Sequence, residues 1–89
     1  MADISGTVIS VTNTNNPATG SDFGCAIVND TATNQNEAVS FWPGPTGSQN
    51  NRRLYFNTMF CVALATGKTV NVSTDGPTSA NVISVTLNS

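Results

Sequence analysis

A single stretch of this chain has the pattern of a helix, and the segments around it have the pattern of strands. Residues 54–65 form a dense apolar run that contains neither Gly nor Pro. Asn50 or Asn51 precedes this run and offers an N-cap oxygen. Gly67 follows it where a left-handed residue closes a helix. The sequence therefore predicts one helix, which any fold of this chain must pack against strands.

The strand segments are short, rich in Val, Ile and Thr, and separated by polar turns. In the first of them Ile9 and Val11 alternate with polar residues, which predicts that they share one face. Gly6 in the same segment predicts a bulge or bend there. Residues 13–21 and 30–36 have the composition of turns. The predicted strands are residues 4–12, 23–29, 38–42, 68–73 and 80–87.

The order of these elements is three strands, one helix and two strands. This order predicts a mainly β fold, an OB-fold-like five-stranded Greek-key barrel with one helix between strands 3 and 4. An α+β sandwich with the same element order is the competing interpretation. A length of 89 residues leaves room for one small core, so residues 1–89 are expected to form a single domain.

Charged residues are scarce in this chain, which limits the classes of partner that we expect it to bind. Three basic and five acidic residues give a net charge of −2, which offers no electrostatic footprint for a nucleic acid. The surface must instead consist largely of Asn, Ser and Thr. No apolar run reaches the roughly 18 residues of a membrane-spanning helix. We therefore expect neither a nucleic-acid partner nor a membrane span.

Residues suited to catalysis or to metal binding are also scarce. The chain has no His, which removes the usual general base and the commonest metal ligand. No Ser-x-Lys or Gly-x-Ser-x-Gly motif is present to activate a hydroxyl. Asp22 and Asp30 could act as paired catalytic carboxylates only if they were close, but they lie on separate predicted turns. Two Cys without His fall short of a tetrahedral metal site. We expect no enzymatic activity, no cofactor and no metal.

The predicted helix has two unlike faces. Phe56, Met59, Phe60 and Ala63 fall on one side and are expected to be core. The opposite side is small and uncharged, so it is predicted to pack closely against another helix or another subunit. That candidate interface consists of Asn57, Thr58, Cys61 and Ala65.

Several segments are similar to one known family, the receptor-binding B subunit of subtilase cytotoxin and its relatives. Residues 4–9, Ile-Ser-Gly-Thr-Val-Ile, resemble its first strand, and residues 23–27, Phe-Gly-Cys-Ala-Ile, resemble its second. Residues 54–55, Leu-Tyr, and 66–72, Thr-Gly-Lys-Thr-Val-Asn-Val, resemble its helix start, helix stop and fourth strand at the same spacing. The resemblance implies an OB-fold assembled as a ring of five that binds glycans, with an A-subunit-like protein as a candidate partner.

Carried over residue by residue, the resemblance implies a carbohydrate site. Ser5 falls at the position of the family serine that contacts sialic acid. Ser73 or Thr74 stands where the family has an aromatic residue, and Asp3 is the substitute for an acidic residue before the first strand. Trp42 is a further candidate because sugars stack on aromatic faces, with a core cap as its alternative role.

The two cysteines, Cys25 and Cys61, leave two interpretations open. They are able to form one disulfide between the second strand and the helix, which would stabilise the fold by about 3–4 kcal/mol. Two free thiols are equally compatible with the sequence.

The sequence is compatible with two functions. The first is a glycan-binding, ring-forming module, because neutral polar side chains suit the hydroxyls of sugars. The second is a structural subunit that self-assembles into a filament, a phage particle or a surface layer. Both suit a secreted, surface or particle-associated protein, although residues 1–6 lack the basic start and apolar stretch of a secretory signal.

Overall fold

The computed structural model describes residues 3–16, 21–41, 47–76 and 80–88, and of residues 15–16, 21–23 and 47–53 it describes the backbone only. The described elements follow the predicted order, with one helix between the third and fourth strands. They are β1 Asp3–Asn16, β2 Ser21–Asp30, β3 Gln35–Phe41, α1 Gly47–Thr66, β4 Thr69–Thr74 and β5 Val82–Leu87. The predicted mainly β class is therefore confirmed.

The five strands form one sheet in the order β3-β2-β1-β4-β5, and all neighbouring strands are antiparallel. Its two edge strands approach each other at one point. There Ser40 forms a parallel bridge with Asn81, and the Ser40 N–H donates to the Ala80 carbonyl oxygen at 2.8 Å. The sheet curls far enough for its edges to touch, but no continuous ladder joins them within the described residues. The sheet is not closed, so a complete barrel goes beyond what the fold shows.

The β1–β2 hairpin is longer than the sequence predicts. Its ladder continues to the pair Asn16 and Ser21, so the predicted turn is wrong for residues 13–16 and 21, which are strand. Residues 17–20 lie outside the described residues. The polar end of this hairpin lacks the alternation of apolar residues on which strand prediction depends. Its backbone groups nevertheless form the ladder hydrogen bonds. The next turn is shorter than predicted: it occupies residues 31–34, where Asn34 has a φ of 54° and its N–H donates to Asp30.

The bulge in β1 lies at Ile9 and not at Gly6. Val8 pairs with Val28 and Ser10 with Ile27, so Ile9 is the extra residue. The bulge turns Ile9 outward, and its side chain is 49% exposed while Val11 still packs against the core. The prediction that Ile9 and Val11 share a face is therefore wrong.

Gly6 instead permits a close approach between strands. A Cβ atom at this position would lie 1.7 Å from the carbonyl oxygen of Asn29 in β2. No side chain fits against a backbone atom at that distance, so β1 and β2 keep their present packing only with glycine at residue 6.

The helix packs on the sheet through the face that its sequence predicts. Phe56, Phe60 and Ala63 are buried, and the ring of Phe60 stacks on that of Phe41 with centroids 5.3 Å apart. The remaining buried apolar residues come from all five strands. They are Ile4, Val8, Ala26, Val28, Val39, Val70, Val72 and Val82.

The sequence predicts one end of the helix correctly and the other wrongly. Gly67 has a φ of 72°, and its N–H donates to the Ala63 carbonyl oxygen at 2.9 Å, so the predicted C-terminal cap is confirmed. At the other end α1 begins at Gly47, so Asn50 and Asn51 lie inside the helix. The prediction that one of them is the N-cap is wrong.

We expect Gly6→Ala to destabilise the protein, because its new Cβ cannot avoid the Asn29 carbonyl without moving β2. The expected loss in free energy of unfolding is about 1–3 kcal/mol, measured by urea denaturation. Gly76→Ala is the matched control, since a Cβ there meets nothing within 4 Å. Equal stability of the two variants would contradict the close approach at residue 6.

Candidate functional site

Three neighbouring strands present a regular polar surface on one side of the sheet. The ladder places Asp3 beside Ser73 and Ser73 beside Ser84, and it places Ser5 beside Asn71 and Asn71 beside Thr86. A third row follows, because Thr7 pairs with Thr69 and the Asn88 N–H donates to the Thr69 carbonyl oxygen. We call these nine residues the polar sheet face. They are Asp3, Ser5, Thr7, Thr69, Asn71, Ser73, Ser84, Thr86 and Asn88.

The opposite side of the same strands explains why these residues face outward. Between the polar rows lie Ile4 paired with Val72, and Gly6 paired with Val70. Ile4, Val70 and Val72 belong to the buried core. Because side chains alternate along a strand, burying this row exposes its neighbours. The spacing of strands and residues makes the polar sheet face about 10 Å wide and about 13 Å long.

Hydrogen bonds within the face fix its two ends. At one end the Ser73 hydroxyl donates to Oδ1 of Asp3 at 2.8 Å. At the other, the Asn88 side-chain amide donates to Oγ1 of Thr69 at 3.1 Å and to Oδ1 of Asn71 at 3.4 Å. Neighbouring side chains of the face therefore hold one another in place.

Ser5 lies between these two ends and is exposed. Its carbonyl oxygen accepts two hydrogen bonds from Thr31, one from the backbone N–H at 2.9 Å and one from the hydroxyl at 3.1 Å. The turn after β2 thus fixes the backbone from which the Ser5 hydroxyl projects.

Three of the predicted carbohydrate-site residues come together on this face: Asp3, Ser5 and Ser73. Thr74 does not join them. It is only 5% exposed and its hydroxyl donates to the Gly76 carbonyl oxygen, so the prediction of Thr74 as a ligand-contacting residue is wrong. The alternation along β4 turns Thr74 inward when Ser73 faces outward. Trp42 lies outside the described residues.

The sequence-based site misses the part of the face that β4 and β5 contribute. Asn71 and Thr86 lie beside Ser5 in the middle row, and Ser84 lies beside Ser73. The alternation of polar and apolar residues in both strands was the available signal. That signal shows which residues face outward, but it does not show which strands are neighbours.

The exposed side of α1 is the second surface of interest. Leu54, Tyr55, Val62 and Leu64 are between 40% and 66% exposed. Thr58, Cys61 and Ala65 are exposed among them. We call this surface the uncharged helix face, because none of its residues is charged. It consists of Leu54, Tyr55, Thr58, Cys61, Val62, Leu64 and Ala65.

The polar groups on this side of the helix bond within the chain. The Thr58 hydroxyl donates to the Leu54 carbonyl oxygen at 2.9 Å, one turn earlier in the helix. The Cys61 thiol contacts Oδ1 of Asn57 at 3.9 Å. Asn57 also accepts from the side-chain amide of Asn13 in β1, so this residue of the predicted interface is half-buried against its own subunit.

Cys25 and Cys61 are free thiols, so the structure does not contain the disulfide that the sequence allows. Gly24 and Ala26 are buried, which turns Cys25 to the outer side of β2. Cys61 lies on the side of α1 away from the buried Phe60 and Ala63. The sheet and the helix therefore separate the two sulfur atoms.

The described part of the chain offers no concave site. It encloses no cavity, and it brings together no group of three or more His, Cys, Asp or Glu residues. Over the same residues, no helix is long and apolar enough to cross a membrane. The polar sheet face is thus an open hydrogen-bonding surface.

Comparison with known proteins adds no relative to this description. No family model, no curated protein and no solved structure matches the chain. The resemblance to toxin B subunits therefore rests on the sequence motifs alone, and the site is interpreted from its own geometry.

The arrangement of the cysteines predicts the reactivity of both thiols. In denatured protein prepared without reductant, we expect an aromatic disulfide reagent to titrate two thiols per chain. In the folded monomer Cys61 is expected to react first, because it is exposed while Cys25 is half-buried. Cys61→Ser identifies the fast phase. Finding no thiols before reduction would contradict the free state of both residues.

Proposed function

We propose that this chain is a glycan-binding module that acts as a homo-oligomeric ring, in the manner of the secreted toxin B subunits that its motifs resemble. The observation that carries the proposal is the polar sheet face, where Asp3, Ser5 and Ser73 lie on adjacent strands. A pentamer is the assembly that the resemblance favours.

The chemistry of the face suits sugars. Its side chains carry hydroxyl, amide and carboxylate groups, which bind hydroxyls as donors, acceptors or both. Its width of about 10 Å and its length of about 13 Å, from strand geometry, match a ligand of one or two sugar rings. No described residue of the face is large or apolar, so recognition there depends on hydrogen bonds.

The openness of the face explains why a ring is part of the proposal. A ligand on a flat surface keeps much of its own surface in water, so each site is expected to bind weakly. Several sites that engage one cell surface gain about 10²–10⁴ in overall affinity through effective concentration. Assembly through the uncharged helix face would place several polar sheet faces on one particle.

We expect Ser5→Ala to weaken glycan binding without changing stability. Loss of one exposed hydrogen-bonding group reduces affinity about two- to tenfold. A glycan array selects the ligand, and titration calorimetry or saturation-transfer NMR then compares the variants. Thr33→Ala, in the exposed turn before β3, is the matched control. Absence of binding to every glycan at millimolar concentration would refute the proposal.

A structural, self-assembling subunit is the second candidate, favoured by the uncharged helix face. Leu54, Tyr55 and Val62 expose apolar surface on one helix of a short chain. A second copy of this chain is the proposed occupant, because two uncharged faces meet without burying a charge. Thr58 already has its hydroxyl bonded to its own helix, which lowers the cost of burying it.

The assembly is tested with Ala65→Lys. A lysine in the last turn of α1 favours the helix dipole, so the monomer should stay folded, but the charge makes burial of the face costly. We expect the native mass to fall to that of a monomer in light scattering. Thr33→Lys adds the same charge in an exposed turn and should leave the mass unchanged.

The wild-type mass separates the two candidates. A closed ring has one fixed mass over a wide range of concentration, whereas an open assembly grows as concentration rises. A wild-type protein that stays monomeric throughout would contradict both forms of assembly.

A further inference from the structure

We infer that the polar sheet face binds neutral glycans with adjacent free hydroxyls more tightly than sialylated or sulfated ones. This inference rests on the proposed glycan-binding function and names the class of ligand for the same surface. It departs from the sialic-acid specificity that the family resemblance implies. The residues that carry it are Asp3 and Ser73.

The Asp3–Ser73 pair accepts hydrogen bonds but donates none to a ligand. Ser73 has a single hydroxyl proton, and the structure commits it to Oδ1 of Asp3 at 2.8 Å. What Ser73 presents to a ligand is therefore the lone pairs of its oxygen. An ionised carboxylate is also acceptor-only, with about four lone-pair positions for two oxygens. Asp3 thus keeps positions for further donors after it has bound Ser73.

Adjacent sugar hydroxyls match this arrangement. Each hydroxyl brings one donor, and two neighbouring hydroxyls reach a carboxylate and its adjacent oxygen together. A carboxylate or sulfate on the sugar brings acceptors alone. Placed against Asp3 and Ser73, it would find no proton to receive and would meet a like charge.

The donors that lie nearby on the face belong to Ser5, Asn71 and Ser84, which are neutral and do not compensate the charge of Asp3. The backbone N–H groups of β1, β4 and β5 lie in the plane of the sheet and do not point out of the face. Lys68 is the basic residue whose side chain the structure describes, and it precedes β4 at the end opposite Ser73. An acidic group placed against Asp3 and Ser73 therefore lies at the opposite end of the face from Lys68.

The test compares matched glycans on the wild-type protein. Lactose, 3′-sialyllactose and 3′-sulfolactose are measured by saturation-transfer NMR, together with an array that pairs neutral glycans with their sialylated and sulfated forms. We expect the neutral member of each bound pair to bind about five- to tenfold more tightly, as one like-charge contact at a partly exposed site requires.

Two variants and one control variant locate the origin of the selectivity. Asp3→Asn removes the like charge and adds a donor, so the preference for neutral glycans should fall to about twofold or less. Ser73→Ala keeps the charge of Asp3 and should weaken the binding of neutral glycans without strengthening that of acidic ones. Glu37→Gln removes one negative charge from β3, away from the face, and should leave the preference as in the wild type. Circular dichroism confirms that each variant is folded.

The outcomes distinguish this inference from the function on which it rests. Binding of sialylated or sulfated glycans as tight as that of their neutral partners would overturn the selectivity and leave the glycan-binding proposal standing. An unchanged preference in folded Asp3→Asn would also overturn it. Absence of binding to any glycan would overturn the proposed function and this inference with it.

Discussion

The register of β4 between β1 and β5 is the constraint on which the surface chemistry depends. It pairs Ile4 with Val72 on the inner side and Ser5 with Asn71 on the outer side. A slip of β4 by one residue would bury Asn71 and expose Val72, because side chains alternate strictly along a strand. The cost of exposing the Val and Ile side chains, roughly 1.5–3 kcal/mol each, holds the polar sheet face outward. The core therefore positions the candidate site.

The helix supports this arrangement from the inner side. Phe60 stacks on Phe41, so α1 is fixed to β3 by an aromatic pair as well as by buried area. The same orientation leaves Leu54 and Val62 in solvent. Because residues 54–65 of α1 carry no charge, packing one face of this segment against the sheet leaves an exposed face without charge. The chain thus has two dissimilar surfaces, one suited to hydrogen bonding and one suited to contact with another copy.

Sequence patterns predicted the elements better than their ends. The apolar run after residue 53 and the glycine at 67 predicted a helix with its core face and its C-terminal cap, because both are local features. The start of α1 at Gly47 and the extension of β1 to Asn16 were missed, since polar residues join a helix or a hairpin without a periodic signal. The bulge at Ile9 was assigned to Gly6, because the glycine serves a contact with Asn29 that is distant in sequence.

By itself the sequence determined the fold class, the order of elements, the core face of the helix and the scarcity of charge. These features follow from the periodicity of apolar residues within short segments and from the overall composition. Only the tertiary structure decided which strands are neighbours, and hence that Asp3, Ser5 and Ser73 lie together while Thr74 is buried. It also placed Cys25 and Cys61 apart as free thiols. Both outcomes depend on pairing between segments far apart in the chain, which no local pattern specifies.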